Sequence, residues 1–470
     1  MNENLIDQAT TLKLLEMQST QMGNAERLYV LIGEDYKYVP ELKWWLHWNG
    51  RYWETQDDSA MMLALGNAAR ALTRAIRLLP NNGDRMEMLR RQQVCDNLLK
   101  VERGSENKSV LDFLAGLAAV KHTAFDGNPF LLNAQNGTLN LLTSELQPHN
   151  KTDYLTKICA VAYNPKRAEE TASASLWEET VNTILPDASV RHWMQKFIGY
   201  CLTGSTEEEK FVIAYGPGGS GKGTFFETIG AALSEYKDVL PVDTLLTTNI
   251  YTGGNGPSPE LAKLRGKRYV LSSESNRCRH LDEAKIKLLT GGDTLTARHL
   301  GTEPISFAPT FKLILQTNYL PSISDAMDKG IRRRLVVVPF NANIETRDKK
   351  LKQKLLRKEN LEACLAWCVE GAKLWQQEGL DDTPGVLAEA ANRFYQENDL
   401  LQEWLDERTE PSLGGMKFRK ALEDFNEWLQ RGGYRPWQQK CFAEAMKLHG
   451  REKTRWGQGY VYSGLRLRSE

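Results

Sequence analysis

Residues 211–230 read FVIAYGPGGSGKGTFFETIG, and no other stretch limits the fold so strongly. The apolar run Phe211 to Tyr215 predicts a buried strand. A glycine-rich turn follows through Gly216, Pro217, Gly218, Gly219, Ser220 and Gly221. Lys222, Gly223 and Thr224 then open a segment with helical composition. Strand, glycine loop and helix in that order make a phosphate cradle. Glycines let consecutive backbone N–H groups curl round an anion. The helix N-terminus adds partial positive charge, and Lys222 adds a full one for the β- and γ-phosphates. A hydroxyl beside the lysine normally holds Mg²⁺. Here Gly223 occupies that place and Thr224 follows it. Some nucleotide kinases carry the same Gly-Lys-Gly-Thr. The stretch is therefore read as a site for ATP and Mg²⁺ rather than as an ordinary turn.

At 470 residues the chain should hold two to four domains. Lys plus Arg and Asp plus Glu both number 60, so overall charge announces no nucleic-acid partner. The seven cysteines are scattered and odd in number, which argues against a disulfide framework. Cys364 and Cys368 share a helix face but lack a second pair for zinc. The start, MNENLIDQ, does not resemble a secretory signal, and no apolar run is long enough to span a bilayer. The expectation is a soluble, cytoplasmic protein with no membrane partner.

The fold class expected is α/β. Residues 1–165 read as a mixed α+β unit, 166–209 as a helical connector, 210–345 as a nucleotide-binding core, 346–395 as helices, and 396–470 as helices ending in a strand pair. Strand candidates in the core are Phe211–Tyr215, Arg268–Ser272, Thr310–Gln316 and Arg334–Pro339. In WWLHWNGRYW, Asn49-Gly50 between aromatic runs predicts a tight two-residue hairpin. Its tryptophans are expected to pack a small core rather than stack on bases. Asn128 to Thr143 reads as a strand pair turning at Asn136-Gly137.

A phosphate loop alone does not name a reaction. The next strand candidate ends in Ser272-Ser273-Glu274. A carboxylate there can polarise an attacking water and share a metal with Thr224. Ser273 stands where an Asp is common. The third strand, TFKLILQTN, ends at Asn318, whose amide is placed to sense a γ-phosphate. Then come Arg332, Arg333 and Arg334. Arg333 and Arg334 are candidates to reach a phosphate in a neighbouring subunit; a solvated charge run is the plainer alternative. Between them, Lys285 and Lys287 fall on a helix, and Thr294–Leu300 with Ile305–Phe307 reads as a hairpin carrying Arg298 and His299. Such a hairpin can grip single-stranded DNA phosphates or be structural.

The loop, the Ser-Glu-Ser-Asn strand end, IKLLTGGDTLTARHL, FKLILQTNYLP and RRRLVVVPF together resemble the superfamily 3 helicases. Within them the match is to the D5-like, phage and plasmid primase–helicase branch, and NPFLLNAQNGTLNL resembles that branch's N-terminal region. The resemblance runs from about residue 30 to about residue 410. It implies an AAA+-type P-loop ATPase core, a homo-hexameric ring with ATP between subunits, and 3′ to 5′ translocation on single-stranded DNA with unwinding of forks. It also implies a phage, plasmid or other mobile element in a bacterial host. Lys222 and Thr224 then carry the Walker A role, Glu274 Walker B, Asn318 the sensor, and Lys287, Arg298 and His299 the DNA-proximal segment. The region before the core lacks a primase-type acidic cluster, so a separate primase partner is expected.

From Ser412 to Glu470 there are twelve Lys and Arg against six Asp and Glu, a net of +6. Phe418, Trp428, Tyr434, Trp437 and Trp456 interleave with them. A winged-helix-like domain that holds duplex DNA fits this pattern, with its aromatics mainly in a core. Two other readings stay open: an ATP-gated initiator or scaffold with weak hydrolysis, kept alive by Ser273, and a nucleotide kinase.

Overall fold

The computed structural model describes residues 6–81, 83–165, 175–247, 258–274, 280–298, 304–324, 326, 328–344, 348–434, 436–457 and 459–468. The N-terminal part opens with helices α1 (Gln8–Leu15) and α2 (Gln21–Ile32). Thr20 caps α2 by accepting from the Gly23 N–H. An antiparallel sheet follows: β1 (Tyr36–Val39), β2 (Trp44–Trp48) and β3 (Trp53–Gln56). Three helices, α3 (Asp58–Leu78), α4 (Arg85–Lys100) and α5 (Gly104–Leu117), close over it. Trp45 and Trp53 are buried at 2% and 1% exposure, so both serve the core.

The β2–β3 hairpin is wider than Asn49-Gly50 predicts. Trp48 pairs with Trp53, which leaves four residues in the loop. Asn49 explains it: its side-chain oxygen accepts from the N–H groups of both Arg51 and Tyr52 at 3.0 Å. A side chain that caps two N–H groups favours an Asx-type loop over a two-residue turn.

A second antiparallel sheet holds β4 (Leu131–Ala134), β5 (Gly137–Asn140) and β6 (Glu145–Gln147). Ala134 pairs with Gly137, so the turn is Gln135-Asn136 and Gly137 already belongs to β5. Asn136 is held by Tyr163, accepting from its N–H and donating to its carbonyl.

Helices α6 (Leu176–Ile184), opened by a Ser175/Glu178 capping box, and α7 (Ala188–Leu202) lead into the central sheet. That sheet contains β7 (Phe211–Tyr215), β8 (Lys237–Val239), β9 (Tyr269–Glu274), β12 (Lys312–Thr317) and β13 (Leu335–Pro339). Helix α8 (Lys222–Leu233) follows β7, and the short helix α9 (Pro259–Ala262) precedes β9. Helix α10 (Glu283–Thr290) and a two-stranded hairpin, β10 (Leu295–Ala297) with β11 (Ile305–Phe307), lie between β9 and β12. Helix α11 (Lys329–Arg332) precedes β13.

The strand order is β13–β7–β12–β9–β8, and each pairing is parallel. Parallel strands are covered on both faces and so read as unbroken apolar runs. Phe211 to Ala214 and Leu313 to Leu315 are all at or near zero exposure. The register is what builds the site. Thr317 lies level with Tyr215 on one side and with Glu274 on the other. Three strands therefore end together at one edge of the sheet.

Two helices cross behind the sheet. Helix α12 (Leu351–Leu355) leads into α13 (Lys358–Glu378), which packs on α7. A Cβ at Gly199 would lie 2.0 Å from the Ala372 nitrogen, and one at Gly371 would lie 2.1 Å from the Gln195 carbonyl oxygen. The two backbones touch, and only glycine fits at the crossing. Cys364 and Cys368 are buried in the adjoining core. The buried Arg268, just before β9, donates to the carbonyls of Leu131 in β4 and Leu202 in α7, locking the N-terminal part to the sheet.

Helix α14 (Gly385–Glu397) packs on the β13 side. The last unit runs α15 (Leu400–Arg408), β14 (Thr409–Lys417), α16 (Phe418–Arg431), α17 (Gln439–Leu448), β15 (Lys453–Trp456) and β16 (Gly459–Leu467). The sequence predicts a strand pair here; the unit has three strands, ordered β14–β16–β15. Strand β14 escapes notice because Pro411, Gly414 and Gly415 break its alternation, and its register shifts between Pro411 and Gly415. Among the described residues no helix is long and apolar enough to cross a membrane.

Candidate functional site

The glycine loop leaves β7 and turns into α8. Gly221 caps α8 at φ +89°, where other residues are strained. A Cβ there would also strike the Ile184 side chain at 2.5 Å. At Gly216 the reason is different: a Cβ would lie 2.1 Å from the Phe340 carbonyl oxygen just beyond β13. Backbone approach, not flexibility, selects glycine at the start of the loop.

Lys222 stands in the first turn of α8 and is 8% exposed. Its Nζ donates to the carbonyls of Gly216 at 2.5 Å and Pro217 at 3.1 Å, to Ser220 Oγ at 3.3 Å and to Asn318 Oδ1 at 3.2 Å. All four acceptors are neutral. Burial pushes the ammonium below its ordinary pKa. The loop is thus a concave, N–H-rich surface with a cation that meets only neutral partners among the described residues, and it fits an anion.

A cavity of about 580 Å³ opens above it. One wall is Gly218 to Thr224. The second is the strand edge, with Ser273, Gln316, Thr317 and Asn318. The third comes from the chain after β13 and includes Ile344, Asp348, Leu351 and Lys352. Sequence reasoning missed this third wall, whose segment reads only as a lysine-rich helix start. Lys352 is anchored there by Glu227 of α8 at 2.9 Å. Thr224 is half-buried and lines the cavity with Gly223. Glu274 ends β9 level with Thr317; its side chain lies outside the described residues.

The arginines do not line this cavity. Arg332 stacks over the Tyr395 ring at 4.5 Å. Arg333 and Arg334 both bind Glu209, at 2.6 and 2.7 Å. They differ in exposure: the Arg334 side chain is 8% exposed and also donates to the Gly330 carbonyl, whereas Arg333 is 63% exposed. Asp328 caps α11 by accepting from the Ile331 N–H, and its other carboxylate oxygen binds Lys287. Lys287 is therefore tied to the arginine helix. Arg298 directly follows β10, half-buried, and its carbonyl accepts from the Ser258 N–H. His299 lies outside the described residues.

Fold and site define an α/β protein with a parallel five-stranded sheet and an anion-binding glycine loop at its edge. Residues 25–186 match the D5 N terminal like family model, and residues 214–334 match a family of unknown function, DUF5906. A protein of Acanthamoeba polyphaga mimivirus named "Putative helicase L207/L206" is 32% identical over 46% of this chain and 22% of its own length. "Putative helicase 121R" of Invertebrate iridescent virus 3 is 29% identical over 48% of this chain and 24% of its own. "Putative primase C962R" of African swine fever virus is 26% identical over 45% and 22%. The chain thus spans under a quarter of the length of these relatives. The apo C-terminal region of NrS-1 aligns with a TM-score of 0.44 at 11% identity, covering 93% of this chain and 98% of that one. Together these matches support a relationship to the D5-like helicase–primase proteins.

Proposed function

We propose that this chain is the ATP-driven motor of a replicative DNA helicase from a phage, plasmid or virus-like element. One observation carries the reading: the level ends of β7, β12 and β9 bring Lys222, Asn318 and the Glu274 backbone to one edge, with Lys222 and Asn318 lining one cavity. The parallel sheet, with the loop-bearing strand in its interior, supports an AAA+-type P-loop core. Relatives named helicase and primase support a role in replication.

In this reading the loop N–H groups and Lys222 hold the β- and γ-phosphates of ATP. Thr224 and Glu274 are the groups to share Mg²⁺, which when bound neutralises charge on those phosphates. Glu274 takes a proton from the attacking water, and Asn318 orients it. Arg333 lies outside its own chain's cavity and is the more exposed of the pair on Glu209. It acts on the site of the next subunit in a homo-hexameric ring. Lys287, Arg298 and His299 form the grip on single-stranded DNA.

Ser273 lines the cavity where a second carboxylate is common. That favours, as a second reading, an ATP-gated initiator with weak hydrolysis. DNA-stimulated ATP turnover separates the two. Robust turnover on forked DNA that is abolished in Glu274→Gln supports the motor. A wild-type chain that binds ATP and DNA without turnover leaves only the initiator.

A further inference from the structure

The last unit buries or pairs nearly every aromatic it owns. Phe418, Phe425, Phe442 and Tyr462 pack together in its core. Trp404 joins them, and Trp428 donates to Glu407. Trp437 lies on Phe425, and Tyr434 meets His280 of the central domain. Trp456 is the exception. It stands at the tip of the β15–β16 hairpin, 65% exposed, with no ring contact and no side-chain hydrogen bond among the described residues. Its cross-strand partner is Gly459, which has no side chain to cover it. Tyr460, 51% exposed, sits on the other face of the hairpin opposite Arg455. An indole left in water forgoes a large hydrophobic gain.

The surroundings state what would cover it. Arg451, Lys453 and Arg455 are exposed on or beside this hairpin. The neighbouring acid Glu452 is taken by Lys447 at 3.2 Å. Arg451 and Arg455 form no ion pair among the described residues. Lys453 lies over the Tyr460 ring at 5.2 Å. An exposed apolar ring at the tip of a ribbon whose other face carries Lys453 and Arg455 is complementary to a base with its phosphates. The unit's order of helix, strand, two helices and hairpin is that of a winged helix, which puts α17 and this hairpin on one nucleic acid.

We infer that the β15–β16 hairpin is a base-stacking site for the junction between duplex and single-stranded DNA, with Trp456 as the stacking residue and Arg455 on the adjacent phosphate. An intact duplex hides its base faces except at its ends. An indole at the tip of a ribbon therefore finds a partner at the first unpaired base. The inference rests on the chain acting on DNA but not on ATP hydrolysis.

The test is nucleotide-free binding by the full chain. One DNA is a fork carrying 2-aminopurine at the first unpaired position; the other is a dumbbell duplex with no free end. Trp456→Ala should bind the fork about 10-fold more weakly and lose the 2-aminopurine quenching, while dumbbell affinity holds. Trp456→Phe should keep most of both signals. Arg455→Ala should lower the salt slope by about one unit. Equal loss on both DNAs, or unchanged fork binding and quenching in Trp456→Ala, overturns the proposal. Wild-type protein that binds neither DNA instead overturns the DNA reading of the whole chain.

Discussion

Lys222 donates to the side-chain oxygen of Asn318 at 3.2 Å, across 96 residues of sequence. The contact joins the helix after β7 to the tip of β12, and it exists because Tyr215 and Thr317 are in register. It also says what a bound phosphate must do: compete with neutral acceptors for the ammonium. Lys222→Ala should therefore weaken ATP binding by about 10- to 100-fold, the range for a charge-assisted hydrogen bond. Asn318→Ala should leave binding within a few-fold and lower turnover by about 10²-fold. Glu274→Gln should bind normally and stop turnover. Nucleotide-binding titrations beside steady-state ATPase rates separate the three.

Arg333 and Arg334 share Glu209 but should fail differently. Arg334 is the buried member, so Arg334→Ala removes a partner from inside the fold and should cost about 2 kcal/mol of stability. Arg333→Ala removes an exposed group and should cost no more than about 0.5 kcal/mol. Arg333→Ala protein should nonetheless be inactive alone. It should regain activity when mixed with Lys222→Ala protein, because some interfaces then join an intact loop to an intact arginine. Thermal melting and ATPase assays of the mixtures check both halves. Full activity in a monomer rules out the shared site.

The core was legible where burial on both faces writes itself as an apolar run. Strand β7 was read to the residue, and β9, β12 and β13 within one or two residues. Strand β8 was not, because Lys237-Asp238-Val239 is a short edge strand with one paired side and a polar composition. The glycine loop was legible because its conformational demand is local. The third wall of the cavity was not, since nothing in Ile344 or Leu351 says which surface they will cover. Long-range partners are likewise silent in the sequence: Lys287 with Asp328, and Arg334 with Glu209, are set by the sheet order. The aromatics of the last unit read as core from their number. Trp456 shows that a hairpin tip can exempt one of them.

The crossing of α7 and α13 gives a prediction that concerns stability alone. Gly199 and Gly371 face backbone, which cannot rotate away as a side chain can. Gly199→Ala would drive a Cβ to 2.0 Å from the Ala372 nitrogen, so the helices must separate. Overpacking of this kind costs about 1–3 kcal/mol or more. The better helix propensity of Ala returns at most about 1 kcal/mol. Gly199→Ala should lower the melting temperature measurably, whereas Gly66→Ala, with open space at its Cβ, should not lower it. Equal melting of the two variants would mean the helices cross more loosely than described.

Stability should also depend on pH through His449 and Asp399. His449 Nε2 lies 2.8 Å from Asp399, and its Nδ1 lies 2.8 Å from the Ala445 carbonyl. Both ring nitrogens face acceptors, so both must donate, and the ring is an imidazolium. The bond to Asp399 holds the His449 pKa above its ordinary 6.5, against the opposing effect of burial. Asp399 also caps α15 by accepting from the Gln402 N–H. Burial works to raise its pKa, but the bonds to His449 and to the α15 backbone outweigh that and hold it below the ordinary 3.8. The two signs differ. The folded state binds the His449 proton more tightly than the unfolded chain does. That contribution is complete below pH 6.5 and fades as pH rises through the higher folded value. The Asp399 contribution is complete above pH 3.8 and fades as pH falls through the lower folded value. The pair therefore helps most between pH 3.8 and 6.5. The melting-temperature difference between wild type and His449→Phe should be largest near pH 5.5 and shrink by about pH 8.5. Asp399→Asn should lose the same pH dependence and also weaken the start of α15. A wild-type advantage over His449→Phe that stays constant from about pH 5 to pH 9 would show a neutral ring, and the pairing would then be packing rather than charge.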